Sequence, residues 1–209
     1  MQTIKYGESM SIKDAKINFI IDEALALFFS RPLRDVTVHD IAVRAGVGEA
    51  TIYRYFSTKQ NLVCAAATRL QKRIYETYFD FRHAANGLEK LTLFYKTYQT
   101  IFATHREFFK FINEFDAFML SEGKTDSNEY ASGLDTFKAL CDQAYAQGRE
   151  DGSIAQIEDW ETFYYATTHA LLELCKKLSN ADIVRQDAGA NKEKQIAALT
   201  EIILHKLKA

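Results

Sequence analysis

Apolar positions along the chain recur mostly at helical spacing. Between Ile12 and Ser30 they fall at Ile17, Ile20, Ile21, Ala24, Leu25, Phe28 and Phe29, which predicts a first helix. Pro32 ends it, because the residue before a proline avoids the helical region. Thr37 and Asp40 form a Thr-x-x-Asp capping pattern that opens a second short helix through "DIAVRA", and Gly46 stops it. A third short helix is expected from about 48 to 55. Ser57 with Gln60 reads as another capping box, opening a fourth helix whose apolar stripe is Val63, Ala67, Leu70, Ile74, Tyr78 and Phe81. Beyond "AANG" at 84–87, helical stretches follow at about 88–104, 106–121, 128–148, 158–179 and 191–207. Gly87, Gly123, Gly148 with Gly152, and "DAGAN" at 187–191 punctuate them, and residues 1–12 read as a loose tail. Strand-like alternation is scarce. The fold class expected is all-α with about nine helices.

Composition fits that picture: 209 residues hold one proline and nine glycines, few breakers for a chain of this length, and 47% hydrophobic residues are ample for a core. The net charge of −2 hides an asymmetry. Residues 1–73 carry 11 Lys/Arg against 7 Asp/Glu, and residues 74–209 carry 15 against 21. A mildly basic front on an acidic body is compatible with a polyanion-binding module joined to something else. Cys64, Cys141 and Cys175 are odd in number and far apart, which fits reduced thiols. The N-terminal stretch has no apolar segment of signal-peptide type, and no run approaches 18 apolar residues, so a cytoplasmic protein away from membranes is expected.

The stretch "AGVGEATIYRYFSTKQNL" at 45–62 places Tyr53, Arg54, Tyr55 and Phe56 side by side. Four consecutive bulky residues cannot all face inward on a helix, since successive positions point about 100° apart. Two short helices joined by a glycine-containing turn are a helix-turn-helix pattern. Ile41 and Ala42 can face Val47 and Ile52 across the turn, while Ala45 and Gly46 permit close crossing. Glu49, Ala50, Thr51, Tyr53, Arg54 and Tyr55 are left for the rim and outer face. Such a helix enters a major groove N-terminus first, and tyrosine hydroxyls, Arg54 and Lys59 can donate to phosphate oxygens.

Over about residues 17–62 the sequence resembles the tetracycline-repressor (TetR) family of transcriptional regulators. The matching positions are Leu27-Phe28, Thr37, Ile41-Ala42, Ala45-Gly46-Val47, Thr51-Ile52-Tyr53, Phe56, Lys59 and Leu62. The resemblance implies a helix-turn-helix DNA-binding domain at 1–57 and a larger helical effector-binding and dimerisation domain at 58–209. Double-stranded operator DNA is the implied partner. Its contacts are expected from Thr37, Arg44, Gly48, Glu49, Ala50, Thr51, Tyr53, Arg54, Tyr55 and Lys59. Two positions depart from the family: Gly48 stands where Ser or Thr is usual, and Ala50 where Gly is common. A glycine still caps a helix, but a hydroxyl that could reach phosphate is gone. Glu49 could accept from cytosine N4 or repel phosphate, and Arg31, Arg34 and Arg44 are each as compatible with solvent as with phosphate.

Aromatic residues crowd 94–118, as ordinary core or as the lining of an apolar cavity. The resemblance implies an effector site between helices, drawing on Tyr98, Phe102, Phe115, Phe137, Cys141, Phe163 and Thr167. These offer no counter-charge, so a mostly apolar small molecule is expected. Ala166 and Ala170 make a flat stripe, and with Leu171, Leu199 and Ile203 the last two helices could pair as a homodimer interface or simply close the domain. His39, His83, His105, His169 and His205 stand apart, and no zinc spacing or phosphate loop is formed. No catalytic, cofactor or metal residue is expected. A ligand-responsive DNA-binding repressor is the leading function, and a helical carrier or adaptor with a vestigial DNA-binding end is the alternative.

Overall fold

Most of the described helix starts in this chain are written by side chains that take up otherwise orphaned backbone N–H groups, those at Gly48 and His105 excepted. The computed structural model describes residues 11–122, 128–180 and 191–209. Its helices are α1 (Ile12–Ser30), α2 (Val38–Arg44), α3 (Glu49–Phe56), α4 (Lys59–Tyr78), α5 (Gly87–Thr104), α6 (Arg106–Ser121), α7 (Asn128–Glu150), α8 (Trp160–Ser179) and α9 (Lys192–Leu207), with a 3-10 turn at Leu33–Asp35. Thr37 and Asp40 make a reciprocal capping box: the Asp40 N–H donates to Thr37 Oγ1 at 3.1 Å, and the Thr37 N–H donates to Asp40 Oδ2 at 2.8 Å. Asn86, Asp159 and Asn191 cap α5, α8 and α9 by accepting from the backbone N–H three residues on, at 2.7–2.9 Å.

Three local expectations are corrected. The cap of α4 is Thr58, whose Oγ1 accepts from the Asn61 N–H at 3.1 Å. Ser57 and Gln60 do not form it, because Ser57 ends α3: its N–H donates to the Tyr53 carbonyl at 2.8 Å and its φ is 62°. A residue in that left-handed region cannot also be an extended N-cap. Gly148 likewise is no break, since α7 runs through it to Glu150. A Cβ on Gly87 would meet Gly148 N at 2.2 Å, so these glycines let the backbones of α5 and α7 touch. Phe81, read as part of the α4 stripe, lies beyond the helix end but is buried. Residues 1–10 of the expected tail, Gly123, and residues 187–190 of "DAGAN" lie outside the described residues.

The chain divides into two compact units, Met1–Ala66 and Ala67–Ala209, with the division inside α4. In the first, α2 packs against α1 and α3, and Ile20, Ala24, Phe28, Ile41, Ala42 and Ile52 are buried. In the second, α5 packs against α6, α7, α8 and α9, and α8 also meets α6 and α9. Its core joins Phe94, Tyr95, Phe102, Phe109, Leu171, Cys175, Ile196 and Ile203. Each such aliphatic or aromatic side chain contributes roughly 1.5–3 kcal/mol when fully buried. No helix among the described residues is long and apolar enough to cross a membrane.

Candidate functional site

The turn between α2 and α3 is four residues long, Ala45 to Gly48. Gly46 sits at φ 62°, where a side chain would be strained, and the Val47 N–H donates to the Ala42 carbonyl at 3.0 Å. Gly48 is extended, at φ −76°, and a Cβ there would meet nothing within 4 Å. That position therefore does not require glycine. Along α3, Ile52 and Phe56 are buried, Thr51 and Tyr55 half-buried, and Glu49, Ala50, Tyr53 and Arg54 exposed. The α3 sequence thus resolves into an inner pair and an outer polar face. Arg54 lies 5.0 Å over the Tyr55 ring and donates to its hydroxyl at 3.4 Å, which holds the guanidinium beside that face.

Charges around this face are paired within the unit. Glu49 Oε1 lies 2.8 Å from His39 Nδ1, Arg44 pairs with Glu23 at 2.7 Å, and Arg31 with Asp40 at 2.9 Å. Hydrogen bonds from Thr37, with a smaller contribution from Arg31, pull the Asp40 carboxyl down to about 2. Lys59, at the start of α4, donates its ammonium to the carbonyls of Leu33 at 2.9 Å and Arg34 at 3.4 Å.

The larger unit holds a cavity of about 270 Å³ that is partly open to solvent. Ile74, Phe79, Ile101, Phe108, Phe109 and Ile112 form much of its apolar wall, with Phe137 and Leu172. Gln71, Tyr98, Tyr130 and Tyr164 add polar atoms. Tyr98 is half-buried in the cavity wall, and desolvation pushes its phenol well above the ordinary tyrosine range. Three charged side chains also line it. Asp116 pairs with Lys176 at 2.7 Å and Lys138 with Asp142 at 2.8 Å, while Asp135 is exposed.

Residues 20–66 match the family model of bacterial regulatory proteins, tetR family. The HTH-type transcriptional repressor KstR2 of Rhodococcus jostii is 28% identical over 160 residues, covering 74% of this chain and 76% of that relative. Residues 20–66 are thus a TetR-family regulatory domain, and the chain as a whole resembles a transcriptional repressor. Among solved structures, a transcriptional regulator from Saccharomonospora viridis in complex with choline superposes with a TM-score of 0.68 at 17% identity, covering 94% and 99% of the two chains. FadR from Bacillus subtilis in complex with stearoyl-CoA superposes at 0.62 and 18% identity, covering 90% and 98%. Identities this low speak for the fold alone, and the two ligands differ too much for the fold to select an effector.

Within this TetR-like domain, Glu49, Ala50, Thr51, Tyr53, Arg54 and Tyr55 come together on one short helix. Thr37, Arg44 and Lys59 have structural partners of their own, as described above. Of the seven residues expected at the effector site, Tyr98 and Phe137 line the cavity. Phe102 is wholly buried and packs behind Phe109, with ring centroids 6.1 Å apart. Phe115 packs on Phe111 and Tyr130, Phe163 on Trp160, and Thr167 bonds the Tyr95 hydroxyl at 2.8 Å. Cys141 is buried in the core. The expectation of a lining without charge is also corrected, although Asp116 and Lys138 are neutralised by their partners. Leu171 and Ile203, expected at a dimer interface, are core residues at 0% and 4% exposure. Heptad-like spacing could not separate the face that closes the domain from the face left outside. Gln71 was missed, although a polar residue four after Ala67 and three before Ile74 on an apolar stripe marks it.

Proposed function

We propose that this regulator is a homodimeric repressor whose α3 helices enter successive major grooves of an operator, and which a mostly apolar small molecule releases. The observation that carries the reading is a cavity with predominantly apolar walls in the larger unit, together with the exposed Tyr53–Arg54 face of α3. α4 links the two features along the chain, with Lys59 in its first turn and Gln71 and Ile74 in the cavity wall. A ligand that prefers one α4 setting shifts the equilibrium between DNA-competent and DNA-released states by its differential affinity.

The acyl chain of the stearoyl-CoA held by the Bacillus subtilis relative supports an apolar portion in the effector, and the choline held by the Saccharomonospora viridis relative supports the use of the same fold for small ligands generally. A volume of about 270 Å³ suits a compact effector, near the lower end of ~300–1,000 Å³ sites. A binding role without catalysis accounts for these features. DNA reading rests on Glu49, Ala50, Thr51, Tyr53, Arg54 and Tyr55, with Gly48 opening the helix.

Filling the cavity is the test. Thr168→Trp, placed in its wall, is expected to keep DNA binding and to lose both the melting-temperature rise and the DNA release caused by apolar compounds. Release by ligand that survives the plug would move the effector elsewhere.

A further inference from the structure

Gln71 is 6% exposed, and its carboxamide nitrogen is the buried side-chain polar atom without a hydrogen-bond partner among the described residues. Native proteins seldom leave a buried donor unmatched unless a ligand or water completes it. The side chain lines the cavity, and α7 makes room for it: a Cβ on Gly133 would lie 1.9 Å from Gln71 Oε1 and 2.6 Å from its Cδ. The Tyr98 hydroxyl, in the same wall, also has no partner among the described residues. By contrast, the buried Tyr95 hydroxyl is satisfied by Thr167. Gln71 and Tyr98 thus line one predominantly apolar space, the first with an unmatched amide donor and the second with a hydroxyl that can donate or accept.

Resting on the effector reading above, we propose that Gln71 is the polar anchor of the cavity. Its carboxamide donates to an uncharged acceptor oxygen, of the carbonyl class, on an otherwise hydrocarbon effector. An anion is disfavoured because Asp116 and Asp135 line the cavity and the one lining lysine, Lys138, is held by Asp142. A cation would leave the Gln71 amide donor unmatched. Gly133 keeps the anchor in the wall, since any side chain there would displace the amide.

The test uses the full chain and two probes of nearly equal shape, 1-tetralone and tetralin, with affinities from calorimetry. Wild type is expected to bind the ketone about tenfold more tightly, the worth of one buried hydrogen bond. Gln71→Met, similar in shape but without the amide, is expected to bind both probes equally, at the wild-type tetralin affinity, with an unchanged or higher melting temperature. Gly133→Ala, which pushes aside only the flexible end of Gln71, is expected to lose the same discrimination. Equal affinities in wild type, or discrimination that persists in Gln71→Met, would overturn the anchor while leaving the cavity reading in place. Failure of both probes to bind wild type would overturn the cavity reading and the anchor with it.

Discussion

Lys59 sets the residue-scale lesson. Its place in the sequence, at the start of the helix after the recognition helix, suits a phosphate contact. The structure gives its ammonium two carbonyls of the Leu33–Asp35 turn instead. A charged donor held this way stabilises the fold by roughly 1–2 kcal/mol. Lys59→Met is therefore expected to lower the unfolding free energy in urea by about that amount. It is also expected to leave the salt dependence of DNA binding unchanged, and a slope reduced by about one would return the residue to the phosphate backbone. What was legible at this scale was chemical type, not employment. Among the described residues Arg54 and Tyr53 have no long-range hydrogen-bond or ion-pair partner, whereas Lys59, Arg44 and Glu49 find theirs 10 to 26 residues away, across turns whose geometry one sequence does not specify.

The helices were legible from apolar spacing, with Thr37 marking one start and Pro32 one stop. Ser11, Asn86, Asp159 and Asn191 cap four more, a signal the spacing alone did not use. The misreadings fall where one residue type serves two purposes. Glycine marks breaks, but Gly148 marks a crossing. Serine marks caps, but Ser57 is a turn. The crossing of α5 and α7 carries a prediction. On Gly87 a Cβ would strike backbone, Gly148 N at 2.2 Å and Ala144 O at 2.4 Å, whereas on Gly148 it would strike the Ile154 side chain at 2.2 Å. Gly87→Ala is expected to destabilise by about 2–3 kcal/mol or more, and Gly148→Ala by less, since side chains repack more readily than backbones part. Denaturant titration of the two variants checks the order, and equal stability to wild type would remove the close crossing.

At the scale of the whole molecule, the helical class and the DNA-binding end were legible, and the assembly surface was not. Apolar periodicity ranks faces by hydrophobicity, yet both a core and an interface are apolar. Burial separates them. Leu171 and Ile203 belong to the core, while Ala166, Ala170 and Tyr165 on α8 and Ile202 on α9 are exposed, and Leu199 is half-buried. A dimer is therefore expected to form through Ala166, Ala170, Leu199 and Ile202. Ala170→Glu with Ile202→Glu should give a folded monomer by light scattering, and Leu171→Glu an unfolded chain by circular dichroism. A folded dimer with both charges in place would put the interface on another face.

The central claim is that α3 reads DNA as part of a symmetric pair. Selection of bound sequences from a random duplex library, followed by anisotropy titrations of the winner across salt concentrations, tests it most directly. The expected result is an inverted repeat whose half-sites are about one helical turn, or a multiple, apart. Affinity should fall steeply with salt, and Arg54→Ala should lower the slope by about one. A library that yields no enriched sequence, or a selected site whose affinity is indifferent to Arg54→Ala and Tyr53→Ala, would contradict it.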